Sequence, residues 1–567
     1  MSAMPIINLL DTTLIDKIAA GEVIERPASV VKELVENSLD AGSTSIKIDI
    51  LNGGKHLIRI ADDGTGMVPE DALNSIKRHA TSKIRQESDL SHLATLGFRG
   101  EALSSIASVS RMTITTAHAG TTPGTTIEIH GGAVKSVREC AAIGTTIEAR
   151  ELFYNTPARK KFLKSTQSEL SYIIETITNA ALSYVNVKFV VNVDERETMN
   201  LPNAATLDER IQQIYGAAFL DGLMEFKKES HEPSMLSIHG FTSKEGFYRR
   251  SRSHQYMFIN QRPVKDNVLR YAVYQAYKTL LKDGMHPIFF LYVGIDPAAV
   301  DFNVHPTKKE VRFTDRDAIY RATISGIGKV LAKTAQPEGV PDTTMPAEPM
   351  APRPQNMDVV FDMTAVFSEN TAPLVPLPLI HSRDFIYLGD VYAAYAHGDG
   401  LCVIDHHAAH ERVLYERFRG ARSPMAGRLL FPYNVTLPAR EYALLCGNLG
   451  LLNEMGIEIE DFGKDVFVIR ALPVELLGAD MTAILSDIAE GLVDITTTPP
   501  VDIVKDTIAK RIACHSSVRG KAVLSDRELS QLIDDLIAAD DPEHCPHGRP
   551  TQILLSLEQL RKMFKRT

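Results

Sequence analysis

The chain has 567 residues, of which 44% are hydrophobic and 23% are charged. A single hydrophobic core stops growing at about 250 to 300 residues, so several domains are expected. The formal net charge of -10 argues against a protein that coats nucleic acid with its whole surface, because phosphate binding needs clustered Lys and Arg. Five cysteines spread over this length do not make a disulfide framework.

No apolar run approaches the about 18 to 20 residues that a membrane-spanning helix needs. The first residues, MSAMPIINLLDTTLIDK, have no basic region followed by an apolar signal core. The sequence therefore predicts a cytoplasmic protein that does not contact a membrane.

Composition divides the chain. Residues 336–378 are crowded with Pro and have few periodic apolar positions, which is typical of a flexible linker. We predict two domains before the linker, at 1–205 and 206–335, and one after it, at 379–567, with an inserted subdomain at about 428–498.

Alternating patterns predict strands in the first domain at residues 45–51, 112–116 and 145–153. The second domain has strand patterns in MLSIHGFTS, QYMFINQRPV and HPIFFLYVGID, with the helical pattern NVLRYAVYQAYKTLL before the last of them. Such a series closes a β-α-β crossover. The fold class predicted for the chain is therefore α+β, in several domains.

The segment ERPASVVKELVENSLDAG predicts a helix that starts at Pro27 and stops at Gly42. Glu33 and Asn37 are four residues apart and share one helical face. A carboxylate base and an amide oxygen that binds a metal need this geometry to meet one substrate. The alternative, which the segment alone leaves open, is a solvated polar face.

Two glycine-bearing segments suit a bound ligand. In DDGTG, Gly64 and Gly66 allow close approach of the backbone, and Asp62 offers a carboxylate acceptor, although a turn closing a hairpin explains the segment equally well. In LGFRGEAL, successive amides at the head of a helical pattern can cradle phosphates. The GxxxxGK[ST] loop occurs nowhere, which excludes a P-loop ATPase.

The motifs follow one another in the order KELVENSLDAG, DDGTG, HATSKI, GFRGEAL, GTTIEARELFYNTPARKKFL and NVHPTKKEVRF. Together they resemble the MutL family of the GHKL ATPases over nearly all of residues 5–330. GFRGEAL and FYNTPAR distinguish that family from topoisomerase ATPase subunits, heat-shock chaperones and histidine kinases. The resemblance implies a GHKL (Bergerat) α/β sandwich that binds ATP and Mg²⁺, followed by a transducer domain.

The resemblance also implies roles for individual residues. Glu33 would be the general base for ATP hydrolysis, Asn37 the Mg²⁺ ligand and Asp62 the reader of adenine. The residues implied to line the base and phosphate pockets are Gly64, Gly66, Thr145, Thr146, Lys83, Gly97, Phe98, Arg99 and Gly100. Lys308, in the transducer domain, would reach the γ-phosphate, and residues 6–20 would be the arm that ATP orders when two N-terminal domains dimerise.

After the linker, the apolar LCVI runs into DHHAAHERVLYERF, which predicts a strand followed by a helix. His407 and Glu411 are four residues apart, so an imidazole and a carboxylate share one face, as in many transition-metal sites. A polar, solvated helix start is the alternative. Cys514, in a helical pattern, and the C-x-H pair Cys545 and His547, in a Pro-rich loop, favour the metal interpretation.

These segments resemble the endonuclease-type C-terminal domain of the MutL family. Its motif is matched at Asp405, His407, Ala408, Glu411 and Glu416, whereas His406 stands where the family usually has Gln. The resemblance implies that Asp405 and Glu411 are catalytic. The implied ligands of Zn²⁺, Mn²⁺ or both are Asp405, His407, Glu411, Cys514, Cys545 and His547.

Other implied partners are a second copy of the chain, a MutS-type mismatch sensor and double-stranded DNA without sequence specificity. Basic clusters at 158–164 and 247–252 could contact DNA or be solvated faces. The family's clamp-binding hexapeptide aligns with GRLLFP, where Gly427 replaces the expected Gln, so binding to a sliding clamp would use a degenerate motif or another site. The predicted function is DNA mismatch repair by an ATP-driven clamp that nicks DNA; the alternative is a non-nucleolytic matchmaker that recruits other repair proteins.

Overall fold

The computed structural model describes residues 23–83, 100–120, 123–229, 236–281, 284–301, 311–334, 384–389, 391–398, 400–420, 426–463, 465–493, 501–516 and 524–565. These residues form several mixed sheets covered by helices, so the predicted α+β class is confirmed. None of the helices in the described ranges is long and apolar enough to cross a bilayer. The N-terminal arm and the linker predicted above lie outside these ranges.

The N-terminal region is built on one large sheet. Its helices are α1 (Pro27–Asp40), α2 (Pro69–Ser75), α3 (Ala102–Val109), α4 (Pro157–Lys161) and α5 (Thr166–Ser183). Its strands are β1 (Ser45–Leu51), β2 (Leu57–Asp62), β3 (Arg111–Ala117), β4 (Gly124–His130), β5 (Ala133–Cys140), β6 (Gly144–Arg150), β7 (Lys188–Val193) and β8 (Arg196–Leu201). The eight strands lie in the order β5-β4-β3-β6-β2-β1-β7-β8.

Helix α1 forms where the sequence predicts it. Pro27 occupies its first turn, and Gly42, just beyond its end, has a φ of +72°. Val31 and Leu34 lie on its buried face and pack in the same core as Ile48 of β1, so the helix covers one face of the sheet. The opposite face of the helix stays accessible and carries the polar residues that lie between these apolar positions.

The second region contains helices α6 (Leu207–Tyr215), α7 (Ala217–Asp221), α8 (Asn267–Ala276) and α9 (Arg316–Thr334). Its strands are β9 (Leu223–Glu229), β10 (Ser237–Ser243), β11 (Tyr248–Arg249), β12 (Gln255–Ile259), β13 (Arg262–Pro263), β14 (His286–Pro287), β15 (Phe289–Gly294), β16 (Val300–Asp301) and β17 (Arg312–Phe313). The main sheet has the order β13-β12-β15-β10-β9. Strands β12 and β15 are parallel and joined through α8, which confirms the predicted β-α-β crossover.

Some predicted element bounds were wrong. QYMFINQRPV is a hairpin of β12 and β13 rather than one strand, because Asn260 and Gln261 have φ values of +47° and +66° and form the turn. The strand predicted at 145–153 ends at Arg150, since Glu151 and Phe153 also have positive φ. The helix predicted for NVLRYAVYQAYKTLL ends at Ala276.

The C-terminal region has two sheets, of orders β18-β19-β20-β24 and β21-β23-β22. Its strands are β18 (Phe385–Gly389), β19 (Tyr392–His397), β20 (Gly400–Asp405), β21 (Ala426–Thr436), β22 (Glu458–Gly463), β23 (Val466–Pro473) and β24 (Gln552–Leu555). Its helices are α10 (His406–Arg419), α11 (Ala439–Cys446), α12 (Leu449–Glu454), α13 (Met481–Val493), α14 (Val501–Ser516), α15 (Asp526–Ile537) and α16 (Leu557–Met563). A capping box formed by Ser525 and Glu528 begins α15.

Candidate nucleotide site and candidate metal centre

Helix α1 brings three of the predicted nucleotide-binding residues to one place. Glu33 and Asn37 lie one turn apart on it and are both half-buried. Lys83 Nζ donates a hydrogen bond to Asn37 Oδ1 at 3.0 Å and forms an ion pair with Asp40 Oδ2 at 2.5 Å. The lysine therefore lies on the polar face of α1, where phosphates of a bound nucleotide would meet its charge.

Asp62 ends strand β2 beside α1. Its Oδ2 accepts a hydrogen bond from Ser38 Oγ at 2.7 Å, and its Oδ1 accepts one from Gly64 N at 3.0 Å. Asp62 pairs in register with Thr145 of β6, whose hydroxyl lies 2.9 Å from that of Thr116. Segment DDGTG leads from β2 towards α2, so the alternative of a turn closing a hairpin was wrong.

The glycines of the N-terminal site are tightly packed. A Cβ on Gly64 would lie 2.7 Å from Ser43 Oγ, and one on Gly66, whose φ is +66°, would lie 1.9 Å from the Ala117 carbonyl oxygen. Gly100 also has a positive φ and packs on Ala80. Thr146 pairs with Ala61 rather than Asp62, which favours Thr145 of the two threonines. Gly97, Phe98, Arg99 and Lys308 lie outside the described residues.

In the C-terminal region, Asp405 stands where strand β20 passes into helix α10. Its Oδ1 caps the helix by accepting hydrogen bonds from the amides of His407 and Ala408, each at 3.0 Å. Its amide donates to the Thr551 carbonyl oxygen at 2.9 Å, which holds the segment before β24 against the start of α10. This contact places the loop that carries Cys545 and His547 beside the helix.

Three predicted ligands converge from separate elements: Glu411 of α10, Cys514 of α14 and His547 of the loop. Their ligand atoms all lie within 4.8 Å of one another. Glu411 Oε2 is 3.5 Å from His547 Nδ1, and Glu411 Oε1 is 3.5 Å from His407 Nε2. Glu411 is thus the centre of the cluster.

The loop that carries Cys545 and His547 is anchored by an arginine. Arg412 Nε donates to the His544 carbonyl oxygen at 2.5 Å, and Arg412 Nη2 pairs with Asp541 Oδ2 at 3.2 Å. A turn is closed by the Gly548 amide on the Cys545 carbonyl oxygen at 2.9 Å. Cys545 is buried and hydrogen bonds to the side chains of Glu411 and His547.

The charges in this cluster are strongly coupled. Hydrogen bonds from His547 to Cys545 and Glu411 raise the pKa of His547 to about 9. Burial opposes ionisation of Glu411, but the hydrogen bond and charge of His547 and the charge of His407 outweigh it and lower the pKa of Glu411. Burial raises the pKa of the Cys514 thiol to about 12. A cation is what would bring this thiol to its thiolate form.

Glu411 and Cys514 are buried and His547 is exposed, and a carboxylate, a thiol and an imidazole are ligands that zinc and related transition metals prefer. The residues present therefore fit a divalent ion. The group formed by Glu411, Cys514 and His547 includes neither Asp405 nor His406. His406 is 2% exposed, and its amide donates to the Val391 carbonyl oxygen at 3.0 Å.

Models of known protein families match three separate segments of the chain. Residues 24–155 match the family described as histidine kinase-, DNA gyrase B-, and HSP90-like ATPase. Residues 211–332 match the C-terminal domain of DNA mismatch repair protein, and residues 386–524 match the MutL C terminal dimerisation domain. A DNA mismatch repair protein MutL from Thermodesulfovibrio yellowstonii is 39% identical over 99% of this chain and 99% of its own length. The chain belongs to the MutL family.

Other MutL proteins match over a similar span. Those of Geotalea daltonii and Coxiella burnetii are 38% and 36% identical over 99% of this chain, and cover 99% and 100% of their own lengths. A crystal structure of the N-terminal domain of a DNA repair protein matches with a TM-score of 0.50 and 25% identity, covering 56% of this chain and 98% of that one. The chain is thus a MutL mismatch-repair protein with a GHKL-type ATPase domain that binds ATP.

Sequence reasoning missed several residues that hold these two sites in MutL. Ser38 lies on the buried face of α1 with Leu34, and a polar residue at that helical spacing was the available signal for its hydrogen bond to Asp62. Asp40 and Thr116 contact Lys83 and Thr145, but no spacing in the sequence announces either contact. Arg412, next to the predicted ligand Glu411, anchors the C-terminal loop. Glu416 itself accepts hydrogen bonds from that loop at the Asp540 and Asp541 amides.

The two basic clusters of this MutL differ in placement. In the cluster at 158–164, Lys160 and Lys161 are exposed on and beside α4. In the cluster at 247–252, Arg249 lies over the ring of Phe247 at 4.7 Å, and Arg250 donates to Cys514, so these two arginines face protein. The expectation that the whole second cluster faces solvent or DNA was therefore wrong.

Proposed function

We propose that this MutL protein is an ATP-regulated enzyme that nicks DNA at a divalent-metal centre in its C-terminal region. The observation that carries the proposal is the convergence of Glu411, Cys514 and His547 within 4.8 Å, from two helices and a loop. A protein that only recruits other repair factors has no need for a converging donor set of this kind. The geometry therefore favours nicking over the matchmaker alternative.

At the nucleotide site, Glu33 would act as the general base towards the water that attacks the γ-phosphate. Asn37 Oδ1, which accepts a hydrogen bond from Lys83, is an oxygen donor of the kind that Mg²⁺ prefers. Asp62 would accept a hydrogen bond from the adenine amine, with Gly64, Gly66 and Thr145 lining the base pocket. Lys83 and Gly100 would contact phosphates, together with Gly97, Phe98, Arg99 and Lys308.

At the metal centre, Glu411, Cys514 and His547 would hold the ion, and His407 and Cys545 lie against Glu411. A bound divalent ion lowers the pKa of water and neutralises charge on phosphate oxygens, as Zn²⁺ or Mn²⁺ can. Asp405 caps α10 through Oδ1 and would accept a proton or orient water beside the ion. Buried Glu411 would keep its charge, because His547 and His407 lower its pKa.

A second copy of the chain is the proposed partner of the C-terminal sheet. Ile386, Ala394, Val403 and Ile553 are directly paired across β18, β19, β20 and β24, so they share one face of that sheet. Ile386 is 63% exposed and Ile553 is 56% exposed. This apolar face lies within a region that matches a dimerisation domain, apart from β24, and would be buried in a homodimer.

DNA and other repair proteins complete the proposed set of partners. Exposed Lys160 and Lys161 offer charge to a duplex without reading its sequence, and a MutS-type sensor would deliver the mismatch signal. The aligned clamp-binding stretch lies on β21, where Leu430 and Phe431 are 93% and 81% exposed. Gly427 still lacks the amide side chain that the hexapeptide usually starts with, so sliding-clamp binding is not part of the proposal.

Nicking of supercoiled plasmid by the full chain with Mn²⁺ tests the proposal. Asp405→Asn should retain the helix cap, since Asn caps as well as Asp, but should lose nicking because the charge is gone. Glu411→Gln should also be inactive. Asp535→Asn, on the surface against Arg417, is the matched control and should nick normally. Relaxed circles from the wild type and control alone support the proposal, whereas no product at any salt or ATP concentration would favour the matchmaker.

Hydrolysis of ATP tests the N-terminal assignments independently. Glu33→Ala should bind ATP with unchanged affinity but hydrolyse it at least about 100-fold more slowly, because general-base catalysis contributes on that order. Retained hydrolysis would remove the base role from Glu33. Phosphate release and binding of a non-hydrolysable ATP analogue separate the two effects.

A further inference from the structure

The segment of residues 249–254, here named the latch segment, turns towards the C-terminal region. Arg250 Nη1 donates to Cys514 Sγ, and Ser253 Oγ donates to Glu490 of α13. His254, 7% exposed, lies between two carboxylates, with Nε2 at 3.5 Å from Glu441 and Nδ1 at 3.8 Å from Glu490. A segment whose composition suggests a solvated or DNA-binding face thus contacts protein along most of its length.

Helices α5 and α11 extend this contact. Arg440 of α11 forms an ion pair with Glu175 of α5 at 3.3 Å and donates to Ser171 at 3.1 Å. Ala439 and Ala443, on the same helix, pack into the hydrophobic core of the N-terminal region. The interface therefore combines apolar packing with directed ionic contacts, as specific protein interfaces do.

Charge complementarity explains why the latch segment fits this surface. Glu441 is buried and Glu490 is half-buried on the C-terminal side, and both face the positive charges of Arg249 and Arg440. Buried carboxylates are costly unless they are paired, so an acidic surface of this kind needs basic partners. The latch segment supplies Arg249 as the positive charge, whereas burial and the charges of Arg249 and Arg440 lower the pKa of His254 to about 3, so its imidazole lies between the carboxylates as a neutral polar group.

Arg250 reaches further than the rest of the latch segment, to a thiol of the metal centre. Cys514 Sγ belongs to the cluster with Glu411 and His547, and the same sulfur accepts the guanidinium donor. A divalent ion on this sulfur would lie close to a second positive charge, and like charges at short range repel. Both positive charges favour the thiolate form of Cys514, so the guanidinium and the ion would compete for the same sulfur.

We propose that the latch segment and a divalent metal ion compete for the C-terminal region, with Arg250 displacing the ion from Cys514 when the domains are docked. The proposal rests on the metal centre of the proposed function. Because coupling between two binding events is reciprocal, docking weakens metal binding and metal binding weakens docking by the same factor. The nuclease centre is then depleted of metal in the docked chain and loaded when the latch segment leaves.

Cobalt titration of the full chain tests the competition without measuring nicking. Co²⁺ bound to a thiolate gives a charge-transfer absorption band, so its intensity reports occupancy at the cysteines. Arg250→Ala removes the competing guanidinium and should bind Co²⁺ about tenfold more tightly than the wild type, a typical size for coupling between sites. Arg440→Glu, which breaks docking far from the metal ligands, should have the same effect.

Two control variants make the titration specific. Arg252→Ala removes an exposed arginine two residues from Arg250 and should leave the Co²⁺ affinity unchanged. Cys514→Ser should weaken the band in the Arg250→Ala background. If Arg250→Ala binds Co²⁺ no more tightly than the wild type, the competition is overturned while the metal centre stands. If no variant gives a thiolate band, the metal centre of the proposed function fails, and the competition fails with it.

Discussion

Asp62 can accept a further hydrogen bond, because a carboxylate has about four lone-pair positions and two of them are used by Ser38 and Gly64. Asp62→Asn should therefore weaken binding of a non-hydrolysable ATP analogue by at least about tenfold, the usual loss for a charge-assisted hydrogen bond. Calorimetric titration measures the affinity. The fold should survive, since Asn can still accept from Gly64.

The neighbouring Asp63 provides a matched control. Its carboxylate accepts hydrogen bonds from the amides of Thr44 and Ser45, at 2.8 and 2.9 Å, so it holds the start of β1. Asp63→Asn should reduce the free energy of unfolding and leave nucleotide affinity unaltered. Equal losses of affinity in both variants would show that Asp62 acts through the fold and not on adenine.

The ionisation of Asp465 should make the stability of the protein depend on pH. Burial raises its pKa to about 7, its Oδ1 has no hydrogen-bond partner among the described residues, and its φ is +61°. A carboxylate whose pKa is raised on folding contributes full stability below its unfolded pKa, near 4, and loses that contribution as pH rises to 7. Asp465→Asn removes the buried charge and keeps a residue that tolerates positive φ.

The Asn variant at 465 should match the wild type near pH 4 and exceed its stability at pH 8 by up to about 4 kcal/mol. Scanning calorimetry of the full chain at both pH values measures this as a shift of the C-terminal transition. Asp480→Asn is the control, because Asp480 is an exposed cap whose function Asn retains. A gain of equal size at pH 4 and pH 8 would contradict the assignment to ionisation.

Contacts between side chains that are far apart in the sequence could not be predicted from it. The spacing of Glu33 and Asn37, or of His407 and Glu411, follows from helical geometry and was available from the sequence. The contact of Arg250 with Cys514 joins residues 264 positions apart, and no local pattern contains it. Residue types at a site can be predicted where one element carries them, but not where packing of distant elements brings them together.

Between β2 and α2, the chain turns so tightly that only glycine fits at position 66. A Cβ there would lie 1.9 Å from the Ala117 carbonyl oxygen, and the residue also has a positive φ. Gly66→Ala should therefore destabilise the N-terminal region by roughly 3 kcal/mol or more and weaken nucleotide binding. Urea unfolding and analogue titration measure the two losses.

Gly120 distinguishes the stability cost of a left-handed backbone from the cost of a steric clash. Its φ is +82°, but a Cβ there would meet no atom of the described residues within 4 Å. Gly120→Ala should cost only about 1–2 kcal/mol, the price of a left-handed backbone for a residue with a side chain. If both variants lose the same stability, the collision with Ala117 is not what requires glycine at position 66.

Strands and helices could be predicted where a single pattern of apolar residues continued along the whole element. SIKIDIL alternates strictly, and the strand spans Ser45–Leu51 as predicted. QYMFINQRPV also reads as one apolar strand, yet Asn260 turns the chain and bonds to Ile295 through both ends of its amide. That turn is stabilised by a residue 35 positions away, so local pattern could not reveal it.

At the scale of the whole molecule, a net charge of -10 conceals complementary surfaces. Arg249 of the latch segment faces Glu441 and Glu490 of the C-terminal helices, and the ion pair of Arg440 with Glu175 belongs to the same interface. Composition gives only the sum of these charges. Their distribution determines whether the chain is compact or extended, and hence whether Cys514 is covered by Arg250.

Exchanging the charges of Arg440 and Glu175 tests this interface. Either single substitution should expand the molecule, and the two together should make it compact again. Arg440→Glu places two carboxylates together, as Glu175→Arg places two guanidinium groups together, so either variant should open the contact and raise the radius of gyration measured by X-ray scattering. The double variant recreates the pair with its charges exchanged and should return towards the wild-type value, with a coupling of about 0.5 to 3 kcal/mol.

Arg470→Glu is the control for this exchange, because Arg470 pairs with Glu460 on the surface of one sheet, with more than half of each side chain exposed. It changes net charge by the same amount as Arg440→Glu but touches no domain contact, so its radius should equal that of the wild type. If both single variants stay compact, the pair does not hold the domains. If the double variant stays expanded, Arg440 acts through Ser171 or its own helix instead of Glu175. If the double variant recovers the wild-type radius of gyration and the single variants do not, compaction depends on this ion pair. Each charge would then be disruptive by itself and tolerated only together with the other.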